Sequence, residues 1–155
     1  MKHNFYHVEN NEDGLPILVK EEKKYYADKR FKYNSPERIN ELCKGINLDK
    51  MAEEYVYAVY LNAALHLIGF SEVSHGTVDY SVISPREVFQ KALLLGAKNV
   101  ILIHNHPSGC SNPSTADIDI TKRLNDAGNI IGISILDHMI ICEDEYYSFK
   151  NEQLL

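Results

Sequence analysis

The chain has 155 residues, 45% of them hydrophobic and 25% charged, which is typical of a soluble globular protein. This length suits one domain with a substantial core, and no apolar run reaches the roughly 18 residues of a membrane-spanning helix. The three cysteines, an odd and sparse set, fit a reducing compartment, so we expect a cytoplasmic protein with no membrane partner. The net charge of −6 argues against strong autonomous binding to duplex DNA.

The N-terminal 34 residues differ in character from the rest of the chain. Residues 1–13 are polar, and we expect them to be loose. Residues 15–20 form a predicted short strand, which Pro16 places at the edge of a sheet. We therefore predict an N-terminal edge segment at 1–34, partly loose, followed by the main domain at 35–155.

A basic stretch from Lys20 to Lys32 interrupts this acidic chain. Six lysines and arginines lie here with three aromatic residues, and Tyr33 follows directly, a combination that can bind nucleic acid. Three acidic residues in the same stretch dilute the charge, so a solvated edge segment is the favoured interpretation.

The main domain mixes helices and strands without a regular alternation. Helix starts are indicated by Ser-Pro pairs and by capping boxes at Ser84–Glu87 and Ser114–Asp117, and strands by β-branched and aromatic runs. The pattern predicts an α/β fold, a mixed β-sheet flanked by about three helices. In chain order the predicted elements are a helix from Ser35, a hairpin of Tyr55–Leu61 and Leu65–Val73, a strand at Val78–Ile83, a helix from Ser84 to Gly96, a strand at Asn99–His104, a helix from Ser114 to Gly128, and strands at Ile130–Leu136, His138–Cys142 and Tyr146–Phe149.

Two histidines at the end of the apolar run Val100–Ile103 are candidate metal ligands. Side chains at i and i+2 of a strand share a face, so His104 and His106 can direct both imidazoles at one point. Asp117 lies eleven residues further on, in the first turn of a predicted helix, where the helix dipole favours an ionised carboxylate. Two histidines, one carboxylate and an open fourth position describe a catalytic zinc site.

The spacing of these residues resembles a known motif. His104-x-His106, seven residues, Ser114, two residues and Asp117 are similar to the JAMM motif of the JAB/MPN metalloproteases. The longer context, His-Asn-His-Pro-Ser-Gly followed by Pro-Ser, resembles the RadC branch of that superfamily, over about residues 35–149. Further matching stretches are Ser74–Thr77, Pro85–Glu87, Leu136–His138 and Tyr147–Phe149. The resemblance implies a JAB/MPN, cytidine-deaminase-like architecture.

The same resemblance implies roles for five residues. It implies a zinc ion bound by His104, His106 and Asp117 with water as the fourth ligand, and a Ser114 hydroxyl that helps to hold the oxyanion of a tetrahedral intermediate. It also implies an upstream glutamate as general acid and base, which matches Glu54, with the neighbouring Glu53 as the alternative. The implied activity is hydrolysis of an amide or isopeptide bond in an unknown protein or peptide substrate.

Several interpretations stay open at this point. Ser114 can be a helix cap as well as an oxyanion donor, and Cys110 stands where the family often has an acid, so it can bind metal or oxidise. For His138 we favour a structural hydrogen-bonded pair with Asp137 over a role in orienting a metal ligand.

The alternative function is that of a non-peptidase accessory of DNA repair or of a mobile element, with a DNA-associated partner. The chain leaves no room for the N-terminal helical domain of many RadC proteins, so it resembles a short form. The oligomeric state is left open.

Overall fold

The computed structural model describes residues 2–24, 31–76 and 83–155. Within these ranges a seven-stranded mixed sheet and three α-helices confirm the predicted α/β fold. The elements in chain order are β1 (Lys2–Asn10), β2 (Pro16–Lys24), α1 (Pro36–Gly45), a 3₁₀ turn (Leu48–Lys50), β3 (Tyr55–Leu61), β4 (Leu67–His75), α2 (Pro85–Leu94), β5 (Asn99–Asn105), α3 (Thr115–Ile131), β6 (Ser134–Ile141) and β7 (Tyr146–Ser148).

Strand β5 lies inside the sheet, whose order is β2-β1-β4-β3-β5-β6-β7. It pairs antiparallel with β3 and parallel with β6, and all seven of its residues are buried. Ile101 and Ile103 pack into the core cluster that contains the buried residues of α1. Val100 and Leu102 pack into the second cluster, which contains those of α2 and α3. The alternation along one strand therefore supplies both hydrophobic cores.

The prediction that residues 1–13 are loose is wrong for residues 2–10, which form β1. This strand pairs with β2 along its whole length and meets β4 in parallel at Phe5 and Phe70, whose rings stack at a centroid distance of 5.3 Å. Gly69 permits this approach, because a Cβ there would overlap the Asn4 carbonyl oxygen and the Tyr6 ring. The predicted edge strand is confirmed, since β2 begins at Pro16 and lies at one end of the sheet.

Two predictions about helix starts have opposite outcomes. The capping box at Ser114 forms, with both of its reciprocal hydrogen bonds. The predicted box at Ser84 does not form, because the Ser84 side chain makes no cap hydrogen bond and its backbone carbonyl alone accepts from the Glu87 N–H.

The predicted end of α3 at Gly128 is also wrong. The helix continues to Ile131 and ends at Gly132, which has a left-handed φ of 82°. Gly128 is instead a packing glycine inside the helix, where a Cβ would overlap the Ile133 carbonyl oxygen and lie 3.1 Å from Phe89 Cζ. The two strands predicted at Ile130–Leu136 and His138–Cys142 are accordingly a single strand, β6, which starts only after α3 has ended.

Some predictions lie outside the described residues. Most of the predicted strand Val78–Ile83 falls in the gap at 77–82, and the middle of the basic stretch falls in the gap at 25–30. The DNA-associated role therefore stays a prediction. No helix among the described residues is long and apolar enough to span a membrane.

Replacing Gly128 by alanine should destabilise the fold although alanine is the better helix former. We expect a net loss of about 1–2 kcal/mol in the free energy of unfolding, because overpacking costs more than the gain in helix propensity. Urea unfolding measures this loss, with Asn129→Ala on the exposed side of α3 as the control that should not destabilise. Equal or greater stability of Gly128→Ala would contradict the packing argument.

Candidate metal centre

The histidine pair lies where β5 ends, on the side of the sheet covered by α3. His104 continues the face of Val100 and Leu102, and its side chain is almost fully buried, at 1% exposure. His106, one residue beyond the strand, directs its ring back toward the same point. The two Nε2 atoms are 3.0 Å apart, so the expected convergence of the imidazoles is found.

The outer nitrogen of His106 has a hydrogen-bond partner in the loop that follows β5. Its Nδ1 lies 2.7 Å from the carbonyl oxygen of Cys110, and a carbonyl can only accept a hydrogen bond. Nδ1 therefore carries a hydrogen, and Nε2 is the ring atom that faces His104. The backbone carbonyl of Cys110 holds the His106 ring, whereas the Cys110 thiol is not in the ligand cluster found among the described residues.

Asp117 is held beside the histidines by the capping box of α3. Its Oδ2 accepts hydrogen bonds from the Ser114 N–H at 2.7 Å and the Ser114 hydroxyl at 2.6 Å, while Ser114 Oγ accepts from the Asp117 N–H at 3.1 Å. This leaves Oδ1 facing the imidazoles, 3.4 Å from His104 Nε2. Because the Ser114 hydroxyl hydrogen already points to Asp117, its use toward an oxyanion requires the hydroxyl to rotate, and that role stays a prediction.

Glu54 lies directly before β3, far upstream of the histidines in the sequence, and its side chain approaches the pair. A carboxylate oxygen of Glu54 and one nitrogen each from His104 and His106 lie within 4.8 Å of one another. The neighbouring Glu53 is exposed. Burial raises the pKa of Glu54, the nearby charge of Asp117 raises it further, and His106 acts in the opposite direction. Of the two candidate glutamates, the fold brings Glu54 to the histidines.

Sequence reasoning did not identify the role of Asn105, between the two histidines. Its side chain points to the other face of β5, where Oδ1 accepts a hydrogen bond from the Tyr55 N–H at 2.8 Å. Its Nδ2 donates to the carbonyl oxygens of Met51, at 3.3 Å, and Glu53, at 2.9 Å. One buried amide thus ties the segment that carries Glu54 to the strand that carries the histidines.

The preferred interpretation of His138 as a structural partner of Asp137 is wrong for the imidazole ring. Only the backbone N–H of His138 bonds to Asp137. The ring lies between His104 and Thr121, with Nε2 2.8 Å from His104 Nδ1 and Nδ1 2.5 Å from Thr121 Oγ1. The available sequence signal was a histidine inside an apolar strand; what the sequence could not give was its pairing beside β5.

The charge states suit a cation in this position. Burial lowers the pKa of His104 to about 4, although Asp117 raises it, and burial lowers the pKa of His138 well below its usual value. The ring nitrogens of His104 and His106 next to the buried carboxylate of Asp117 are the nitrogen and oxygen ligands that zinc prefers. The side chains present therefore fit a divalent metal ion.

Comparison with known proteins identifies a family for most of the chain. The family model of the RadC-like JAB domain matches residues 33–154. Similar proteins include UPF0758 proteins of Desulfitobacterium hafniense, 40% identical over 122 residues, and of Clostridium acetobutylicum, 40% identical over 142 residues. These alignments cover 79% and 92% of this chain but 53% and 62% of the relatives. A UPF0758 protein of Alkaliphilus oremlandii is 46% identical over 101 residues, 64% of this chain and 44% of that protein. The chain spans about half the length of the curated relatives it matches.

The metal-free protein should lose stability as the pH falls from 7 to 5. The pKa of His104 is about 4 in the folded chain, and its ordinary value is 6.5. Between pH 7 and pH 5 the unfolded chain therefore binds a proton at His104, whereas this residue stays largely unprotonated in the folded chain. This difference lowers the free energy of unfolding by about 2 kcal/mol over the interval. Urea unfolding in EDTA measures it. His104→Gln should reduce the dependence but not abolish it, because the pKa of His138 is also lowered by burial. A slope equal to that of the wild type would contradict the assignment.

Removing the Asn105 amide should loosen the segment that carries Glu54. Asn105→Ala leaves the Tyr55 N–H and two carbonyl oxygens without partners, which costs about 1–3 kcal/mol of stability. Hydrogen exchange of the Tyr55 amide should become faster. Asn99→Ala, which removes a single hydrogen bond to the Asn62 carbonyl at the other end of β5, is the matched control and should leave Tyr55 protected. Unchanged exchange at Tyr55 in Asn105→Ala would show that the amide does not hold this segment.

Proposed function

Since this chain belongs to the RadC-like JAB domain family, we propose that it is a zinc-dependent hydrolase that cleaves an amide or isopeptide bond in a protein or peptide. The observation that carries the proposal is the convergence of one Glu54 carboxylate oxygen and the His104 and His106 nitrogens within 4.8 Å. An amide or isopeptide substrate suits the proposed site, because hydrolysis of an amide needs an activated water and a donor for the leaving amine.

The proposed zinc ligands are His104, His106 and Asp117. Asp117 is favoured over Glu54 as the third ligand because it is 2% exposed and fixed by two hydrogen bonds from Ser114, with its other oxygen toward His104. A bound cation would add a positive charge beside this deeply buried carboxylate, which favours its ionised form. Zinc when bound supplies polarisation of the scissile carbonyl and lowers the pKa of water to about 7.

Glu54 is proposed as the general base and acid. It is only partly buried, so it reaches both the histidines and solvent, and its pKa is raised toward the range in which a carboxylate can accept and return a proton. In the proposed reaction the Glu54 carboxylate takes a proton from the attacking water and delivers it to the nitrogen of the leaving amine. Ser114 is the proposed donor to the oxyanion, once its hydroxyl has turned from Asp117.

The first test separates metal binding from turnover. Protein purified without chelator should contain one zinc per chain by elemental analysis, and His104→Ala should lose it. Glu54→Gln should keep the zinc but cleave roughly 10²–10⁴-fold more slowly, because the proton carrier is gone. The exposed neighbour provides the matched control, Glu53→Gln, which should retain both zinc and activity.

The substrates for this test are a quenched-fluorescence peptide library and a matched set of isopeptides linked through the lysine ε-amine. Zinc-free wild-type protein, or zinc content unchanged by His104→Ala, would overturn the proposed metal site. Cleavage that persists in Glu54→Gln and falls in Glu53→Gln would transfer the role to the other glutamate.

A further inference from the structure

The Thr121 hydroxyl lies between two groups that both face it. Its Oγ1 is 2.5 Å from the carbonyl oxygen of Asp117, one turn earlier in α3, and 2.5 Å from Nδ1 of His138 on β6. The carbonyl can only accept, so the single hydroxyl hydrogen goes to Asp117. The contact with His138 is then a hydrogen bond only if the His138 Nδ1–H donates to Thr121.

The direction of this hydrogen bond determines which nitrogen carries the hydrogen in each of the two imidazole rings. A neutral His138 with its hydrogen on Nδ1 has a bare Nε2, which lies 2.8 Å from His104 Nδ1. The His104 Nδ1–H must then be the donor, and Nε2 of His104 is left with its lone pair. That lone pair faces His106 Nε2, 3.0 Å away.

The surroundings leave the His138 ring little freedom to adopt another arrangement. His138 and Thr121 are 1% and 2% exposed, so solvent does not replace either partner. The ring of Phe149 stacks on His138 at a centroid distance of 4.7 Å and an interplanar angle of 10°, which fixes the plane of the imidazole. The backbone N–H of His138 is bonded to Asp137, which fixes the strand at that point.

We propose that Thr121 and His138 are positioning residues that hold His104 in the tautomer whose Nε2 can bind a metal ion. We call this chain of hydrogen bonds, Thr121–His138–His104, the relay. The inference rests on the proposed zinc site and deepens it, since it assigns the orientation of one ligand to a side chain on α3 and another on β6. Neither positioning residue touches the metal; both act through His104.

The first test measures tautomers in the metal-free protein, independently of zinc and of activity. Long-range ¹H–¹⁵N spectra of histidine-labelled protein distinguish a protonated ring nitrogen from a bare one. In the wild type, His104 should be protonated on Nδ1 and bare on Nε2. Thr121→Val, which keeps the shape but removes the acceptor, should shift His104 toward the opposite tautomer, and Thr121→Ser should not. A His104 that is protonated on Nε2 in the wild type would overturn the relay.

The second test measures zinc affinity by competition with a chromophoric chelator. Thr121→Val and His138→Leu should each weaken zinc binding by about 10–100-fold, the usual cost of losing a partner behind a metal ligand. Thr121→Ser and His138→Gln should bind zinc within a factor of a few of the wild type, because glutamine offers both an acceptor and a donor. Urea unfolding of each metal-free variant checks that it is folded, and Thr121→Val serves if His138→Leu is not.

A double variant separates the relay from a direct effect of Thr121 on Asp117. If Thr121 acts through His138, the variant carrying both Thr121→Val and His138→Leu should bind zinc no more weakly than the worse single variant. Losses that add would show that Thr121 acts independently and would overturn the relay. If the wild type itself binds no zinc, the proposed function fails, and the tautomer measurement still decides the relay. Zinc binding that is equal in the wild type, Thr121→Val and His138→Leu overturns the relay and leaves the zinc site standing.

Discussion

Side chains alternate between the two faces of β5. Because both faces are buried, each side chain of this strand points into one of the two buried layers beside the sheet. His104 faces α3, where Asp117 Oδ1 lies 3.4 Å from its Nε2. Asn105 faces the other way and binds the backbone that leads into β3, which carries Glu54 to the strand end. A shift of one residue in the register of β5 would exchange these two faces, so the same pairing that builds the cores also sets the chemistry.

The second determinant of the site is how charge is stabilised among buried side chains. Burial lowers the pKa values of His104 and His138. The carboxylate of Asp117 is stabilised in its buried position because the start of α3 supplies N–H and hydroxyl donors together with the positive end of the helix dipole. The result is a cluster of lone pairs and partial negative charge with little water to satisfy it. Such an arrangement favours a small cation on electrostatic grounds before any ligand geometry is considered.

Local signals in the sequence predicted much of this. The span of β3, the capping box at Ser114 and the approach of two histidines depend on neighbours within a few residues, and all three are found. The predictions that failed depend on partners far away in sequence. A glycine such as Gly128 is typical of a helix end, but here it packs closely against the Ile133 carbonyl and the Phe89 ring. His138 could be placed only by knowing that β6 pairs beside β5. β1 is largely polar and shows no periodic apolar pattern from which a strand could be predicted. Its order comes from pairing with its neighbours in the sheet.

The hairpin of β1 and β2 precedes the part of the chain matched by the family model and has a consequence for colloidal behaviour. By pairing with β4 it covers backbone N–H and C=O groups that would otherwise line an open side of the sheet, and it leaves β2 outermost instead, where Lys20, Glu21 and Glu22 are exposed. Charged side chains on an outermost strand disfavour pairing with another chain, whereas a bare β4 would be a template for intermolecular pairing. A chain shortened to its family-matched core would therefore present that side of β4 to neighbouring molecules.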